Sequence, residues 1–293
     1  MQVQELSSLN VTLRPGRVGD APDLGKICYD AFNSISSKHG YPCDVPNAEM
    51  ATRFLQSLLS HPKFYSVVAE SNGKIVGSNF LDERCSITGV GPITVDPGFQ
   101  NRQTGRELML AVMGRSKEIG AAGIRLVQAA YHIRSLSLYT KLGFETREPL
   151  SNFQWAPIKK KISGRIVRKA HESDLEKCDA ICRYVHGHDR SNELSDSIRN
   201  GTALVVEEAG RITGYSTGLA FFGHSAGESN EDLMALVSSA SSFAGPGILV
   251  PTRNGSLMRW LLDNGLRINQ QMTLMTIGLY NEPKGAYLPS VLF

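Results

Sequence analysis

The chain repeats itself. Leu13-Arg14-Pro15, followed by Asp20 and Ile27-Cys28, returns at one constant offset as Val167-Arg168-Lys169, followed by Asp174 and Ile181-Cys182. Val67-Val68-Ala69-Glu70-Ser71-Asn72-Gly73-Lys74-Ile75-Val76-Gly77 returns as Leu204-Val205-Val206-Glu207-Glu208-Ala209-Gly210-Arg211-Ile212-Thr213-Gly214. Leu126-Val127 through Leu142-Gly143-Phe144 then returns as Ile248-Leu249 through Asn264-Gly265-Leu266. The order of these anchors is kept while their spacing shrinks, so the second copy has lost segments between them. A chain of 293 residues has room for two domains, and both must obey one plan: strand, one or two helices, a strand pair, a longer strand, helix, strand, helix, strand. The pair at Val67–Leu81 is a hairpin, because apolar and β-branched residues flank Ser71-Asn72-Gly73. Alternating helices and strands after it imply an α/β sheet with helices on its faces. The copies divide into domains 11–150 and 165–293, with a linker at 151–164 where Pro157, Lys159-Lys160-Lys161 and Gly164 interrupt any periodicity.

Composition removes several classes of function. With 31 basic against 28 acidic side chains, the net charge of +3 leaves no basic stripe for nucleic acid. The lysine run reads as a solvated linker. No apolar run approaches the roughly twenty residues a membrane helix needs. The polar N-terminus carries no hydrophobic signal region, so a cytoplasmic protein is expected. Five cysteines, an odd number, fit free and mostly buried thiols in a reducing compartment. Cys178, Cys182 and His186 share one helix face, with His188 and Asp189 just beyond. Such a face can hold a metal, but it also reads as a core stripe ending in a loop, which is the reading taken here, with no metal.

The segment from Ile93 to Met109 carries the chemistry. Ile93-Thr94-Val95 reads as a strand that stops at Pro97; Asn101-Arg102-Gln103-Thr104-Gly105-Arg106 is a polar loop opening an amphipathic helix. Backbone N–H groups then converge beside a helix N-terminus, where the dipole favours negative charge, and form a seat for phosphate or pyrophosphate. Some thirty residues later Ser135-Leu136-Ser137-Leu138-Tyr139-Thr140-Lys141-Leu142-Gly143-Phe144 forms a second helix, with a tyrosine near its end.

This pair of segments, with its spacing, resembles the GNAT superfamily of acyl-CoA-dependent N-acyltransferases. The resemblance implies two tandem domains of α/β (α+β) class, each a mixed, mostly antiparallel twisted sheet flanked by helices. It implies acetyl-CoA as cosubstrate, bound by the backbone of Ile93, Thr94 and Val95 and by the loop Asn101–Arg106. In the family a Gln or Arg, two residues, Gly, one residue, then Gly or Ala wraps the pyrophosphate. Gln100, Gln103 and Gly105 stand on those positions, so Gln103 replaces the first glycine; it can lend its N–H if its φ stays negative. Arg102 and Arg106 offer guanidinium forks to phosphates. Tyr139 is expected to return a proton to the departing thiolate, since a phenol titrates near 10 and a CoA-type thiol lower; a core aromatic is the alternative. His132 stands where the family often has an asparagine on the cofactor, and is either such a contact or a loop histidine. Ser135 occupies a small-residue position beside the cofactor. Ribosomal-protein acetyltransferases of the superfamily place a glutamate on the preceding strand, where Val127 and Gln128 stand here. The remaining carboxylate for accepting the amine's proton is Glu83, unless it is a surface turn acid paired with Arg84.

The second copy departs from this pattern. Glu228, Glu231 and Asp232 replace the arginines before its penultimate helix, Leu261 stands at the position of Tyr139, and Asn254 at that of His132. Negative charge there suits a helix and repels pyrophosphate. The tail from Gly278 to Pro289, rich in turn-formers and tyrosines, and Gly187-His188-Asp189-Arg190 resemble the companion domain of tandem GNAT proteins with a degenerate C-terminal half. Its expected task is to wall the acceptor site, with Asp189, Arg190, Tyr280 and Tyr287 as substrate contacts. A small-molecule amine is the expected acceptor, and the protein is expected to be a monomer or homodimer.

Overall fold

The structure is a computed structural model that describes residues 11–292. In chain order its elements are β1 (Val11–Pro15), α1 (Ala21–Lys38), α2 (Ala48–Ser60), β2 (Phe64–Ser71), β3 (Lys74–Asp82), β4 (Ile87–Val90), β5 (Thr94–Val95), α3 (Thr104–Glu118), β6 (Gly123–Ala129), α4 (Ile133–Lys141) and β7 (Glu145–Gln154). The second copy supplies β8 (Arg165–Lys169), α5 (Leu175–His186), α6 (Ser191–Arg199), β9 (Leu204–Glu208), β10 (Arg211–Ser216), β11 (Ser225–Gly227), α7 (Asn230–Ser239), β12 (Ile248–Pro251), α8 (Gly255–Asp263), β13 (Arg267–Gly278) and β14 (Ala286–Leu288). The expected mixed α/β class with mostly antiparallel sheets is what the chain adopts.

Two compact units form. One runs up to Asp82 and takes in Val90–Gly120; the other joins Glu83–Gly89 to the residues from Ala121 onward. In the first unit β1, β2 and β3 are antiparallel neighbours and β5 adds to β3, with Gly77 opposite Val95. Leu24, Cys28, Leu55, Val68 and Phe80 form its core under α1 and α2. Asn47 caps α2 by accepting from Met50 N at 2.9 Å.

The repeat seen in the sequence is a repeat of interactions. Arg14 bonds Asp20 at 2.7 Å and Glu70 at 2.7 Å; Arg168 bonds Asp174 at 2.7 Å and Glu207 at 2.9 Å. Both triads tie the first strand of a copy to the turn before its first helix and to the neighbouring strand. Both hairpins turn on two left-handed residues, Asn72-Gly73 and Ala209-Gly210, the geometry a two-residue turn between twisted strands requires. Gly77 and Gly214 also correspond. A Cβ on either would stand 2.7 Å or 2.9 Å from the carbonyl of Thr94 or Ala226 across the sheet.

The second unit holds two sheets. In one, β14, β11, β10, β9 and β8 are antiparallel neighbours in that order. In the other, β4 pairs parallel with β6, and β13 lies between β6 and β7, antiparallel to both. β7 in turn pairs with β12. The last long strand of each copy is thus exchanged: β6 of the first copy pairs with β13 of the second, and β12 of the second pairs with β7 of the first. This exchange corrects the start of the expected linker. β7 runs on to Gln154, because Ser151 and Asn152, polar and loop-like in sequence, are fully buried and hydrogen-bonded to Thr252 (2.9 Å) and Asn269 (2.8 Å). The connection between copies is therefore residues 155–164. The tail is also not all turn, since β14 pairs with β11 through Ser225–Leu288, Ala226–Tyr287 and Gly227–Ala286.

All five cysteines are free. Cys178 and Cys182 lie in a core cluster with Ile181, Val185 and Tyr215, and burial pushes their thiols up to about 12 and about 11. No helix among the described residues is long and apolar enough to cross a membrane.

Candidate active site

The loop–helix seat is built in the first unit. Thr94 and Val95 form β5, with Ile93 one residue before it; among the described residues β5 has β3 as its strand partner, on one edge. Asp96 accepts from Gly98 N at 2.7 Å and starts a tight turn through Pro97–Phe99. Gln100 Nε2 then donates to Val95 O at 3.2 Å, which fixes the loop to the strand. Asn101 and Gln103 are both left-handed, with φ of 66° and 64°.

Gln103 therefore does not keep the negative φ under which a glutamine was expected to serve. It adopts the backbone angle that glycine takes readily, at a cost on the order of 1 kcal/mol for a side-chain-bearing residue. Gln103 is the N-cap of α3, and its own side chain makes no capping bond. The first-turn N–H groups of a helix have no partner within the helix, as an anion seat requires. Arg102 and Arg106 are exposed beside it; Arg102 stacks over Phe99 at 5.3 Å, and Arg106 lies 3.2 Å from Glu107. The hydroxyls of Thr94 and Thr104 are buried without a hydrogen-bond partner among the described residues. A short strand with one paired edge, a helix whose N-cap side chain makes no capping bond, two orphan hydroxyls and two exposed guanidiniums together fit an acyl-CoA. Its pantetheine amides would pair with β5 and its phosphates would meet the start of α3.

A second group lies on α4, in the other unit. His132, Ser135 and Tyr139 are spaced so that one helix face carries all three. Ser135 Oγ and His132 Nδ1 are 2.6 Å apart, and Ser135 stands near enough to the Tyr139 hydroxyl to favour its ionised form slightly. Tyr139 is 6% exposed and meets Phe144 edge-on at 6.2 Å. Burial pushes its phenol up to about 12, so it holds its proton at neutral pH. Glu83 is half-buried in the turn after β3, and Arg84 beside it pairs with Asp196 at 3.3 Å.

The expected acceptor contacts do not all meet. Arg190, Tyr280 and Tyr287 line one small chamber, whereas Asp189 is exposed, 3.1 Å from Ser191 Oγ and 3.9 Å from Arg183. Sequence reasoning missed Arg125, His186 and His224 on the same walls. Arg125 had a legible signal, a charge at the centre of the apolar strand Ile124-Arg125-Leu126-Val127. It also missed Glu148, whose carboxylate accepts from Tyr287 Oη at 3.1 Å and Arg253 Nε at 2.8 Å. Burial holds Glu148 above the usual carboxylate range.

The counterpart of the seat in the second copy is closed. β11 pairs with β10 as β5 pairs with β3, but its other edge is taken by β14. Ser229 caps α7 in a box with Asp232, whose carboxylate accepts from Ser229 N and Oγ at 3.0 Å, Thr213 Oγ1 at 2.7 Å and Arg165 Nε at 2.8 Å. Asn230 and Asn254, at the starts of α7 and α8, exchange hydrogen bonds of 3.0 Å and 2.8 Å.

The comparisons with known proteins agree with this geometry. Residues 62–146 match the family model described as Acetyltransferase (GNAT) domain. This segment is a GNAT domain. Among curated proteins the sequence finds no match. Solved structures similar to nearly the whole chain include a Pyrococcus horikoshii protein assigned as an acetyltransferase, with TM-score 0.75 and 17% identity, covering 98% of this chain and 96% of that one. A GCN5-related N-acetyltransferase of Sphaerobacter thermophilus follows, with TM-score 0.63 and 14% identity, covering 94% and 97%. A tandem GNAT protein of the clavulanic acid pathway matches with TM-score 0.57 and 12% identity, covering 92% and 98%. At such identities these likenesses show the fold, a tandem GNAT fold that extends beyond the GNAT domain itself. That family is one of acyltransferases that use acyl-CoA.

Proposed function

We propose that the protein is an N-acetyltransferase that moves an acetyl group from acetyl-CoA to a primary amine of a small molecule, by direct transfer in a ternary complex. The first copy is the catalytic one, and the second is a degenerate partner that walls the acceptor site. The observation that carries this reading is the contrast between the two seats: the first has a strand paired on one edge and no capping bond from its N-cap side chain, and the second is filled by the chain itself.

Bound acetyl-CoA supplies an activated thioester carbonyl and a thiolate leaving group. The chain's own parts then divide the work. The edge of β5 and the start of α3 orient the cofactor. Tyr139 keeps a proton at its Oη, near Ser135, and releases it to the thiolate sulfur. Glu83 is the carboxylate assigned to the amine's proton, directly or through water, because an alkyl ammonium near pKa 10 is almost wholly protonated at neutral pH. Five free cysteines suit a cytoplasmic enzyme.

The test is acceptor-dependent release of free CoA from acetyl-CoA over a panel of small amines. Tyr139→Phe is expected to slow release at least tenfold while acetyl-CoA still raises the melting temperature. A protein that binds acetyl-CoA but releases none with any amine is instead a silent acyl-CoA sensor, the reading that the strained Gln103 favours. An unchanged rate in Tyr139→Phe removes Tyr139 from the mechanism.

A further inference from the structure

The chamber in the second unit is small and has two guanidiniums in its lining. Arg125 on β6 and Arg190 before α6 are 2% and 4% exposed, and both line it, with His186, His224, Tyr280 and Tyr287 around them. No carboxylate is among the described residues that line it. Glu193 stands behind the wall, where it accepts from Arg190 Nε at 2.8 Å and lies 3.2 Å from His224 Nδ1. Burial, then Arg190, lowers His186 and His224, so both rings are neutral at pH 7. Burial alone would raise Glu193, but Arg190 and His224 hold it below the usual carboxylate range. Glu193 thus pairs with Arg190, and the second guanidinium of the chamber is Arg125, stacked over the Tyr280 ring at 5.2 Å. Burial and the nearby Arg190 pull Arg125 down to about 9, the mark of a cation held where a cation is costly. The Tyr280 hydroxyl, buried at the same chamber, has no hydrogen-bond partner among the described residues.

We infer that this chamber receives a compact oxyanion, the carboxylate of the acceptor, so that the substrate class is a short amino acid-like amine. The inference rests on the proposed acetyltransfer. Arg125 lies on the strand that leads into α4, which carries Tyr139, and it shares a face of β6 with Val127, about 7 Å further along. An amine and a carboxylate a few bonds apart span that distance. The chamber's free volume is about 10 Å³, room for about one water, so a carboxylate fits only as the wall moves. Entry displaces the Tyr280–Pro283 wall. Among the described residues that wall and the next residue are held to α5 by Asn281 Nδ2 donating to His186 O at 3.1 Å and Lys284 N donating to Val185 O at 2.9 Å.

The experiment measures melting of the full chain, without acetyl-CoA, in glycine, β-alanine and aminomethylphosphonate against glycinamide, β-alaninamide and methylamine at matched ionic strength. The amino carboxylates are expected to raise the melting temperature and the amides to leave it unchanged. In Arg125→Met the carboxylate affinity should fall at least tenfold, with part of it kept in Arg125→Lys. If Arg125→Met does not fold, Tyr280→Phe, which removes only the orphan hydroxyl, should weaken the same affinity severalfold. Equal shifts with amides, undiminished affinity in the variants, or a larger shift with the phosphonate overturns the carboxylate site. CoA release separates the two claims: a carboxylate-selective shift without release sinks the enzyme and keeps the chamber, while release as fast with amides as with carboxylates does the reverse.

Discussion

The junction at Gln103 and its counterpart at Ser229 occupy the same place in the two copies, yet they are finished differently. At Gln103 the N-cap side chain makes no capping bond, the neighbouring strand is paired on one edge, and the hydroxyls of Thr94 and Thr104 lack partners among the described residues. At Ser229 a carboxylate caps the helix, β14 covers the strand edge, and an Asn230–Asn254 pair bridges the two helix starts. Folded proteins satisfy nearly all their buried polar groups. A place that fails to do so, next to a copy that succeeds, is a place where something else completes the bonding. The second copy thus serves as an internal control for the first.

The sharpest way to break this comparison is Asp232→Ala. It removes the capping-box carboxylate of α7, takes the acceptor from Thr213 and leaves Arg165 to Glu208 alone, and is expected to cost about 3 kcal/mol in urea unfolding; a loss below about 1 kcal/mol would show that the second seat is not held by that carboxylate. Next in size is Arg106→Asp, which puts a carboxylate at the same third position of α3. Acetyl-CoA at about a hundred times its dissociation constant should stabilise the native protein by about 2.7 kcal/mol, and this variant should erase most of that gain while folding normally. A full ligand-induced shift would mean that the cofactor does not sit at α3. The smallest effect is expected from Gln103→Gly. Releasing the left-handed glutamine should raise stability by about 1 kcal/mol, read as a melting point a few degrees higher, with acetyl-CoA bound at least as tightly. A destabilised variant would show that the Gln103 side chain contributes bonds of its own.

The parts of this architecture that were legible in the sequence are those made by neighbours in the chain. Arg14 with Asp20 and Arg168 with Asp174 lie six residues apart, the hairpins turn over two residues, and both helix-start chemistries stand in a few consecutive letters. What escaped depends on distant partners. Nothing in Arg267–Gly278 says that it will slide between β6 and β7, because an apolar strand suits many neighbours equally. The same holds for Ala286-Tyr287-Leu288, which turn-formers surround and which becomes a strand because β11 offers a free edge. Arg190, Tyr280 and Tyr287, expected as substrate contacts, line one chamber, but Asp189, one residue from Arg190, faces solvent because Arg190 is the N-cap of α6 and the chain turns there. The φ of Gln103 was set by the loop's path into α3, which local propensity argues against.

The exchange of final strands has a consequence for how the protein is made. β6 and β7 leave the ribosome well before β13, the strand that must lie between them, and more than a hundred residues separate Gln154 from Arg267. At roughly 5–20 residues per second, several seconds to some twenty seconds of synthesis pass while two apolar edges stand unpaired. During that interval the nascent chain presents a ready template for a strand from any neighbour, including a second nascent copy on the same messenger.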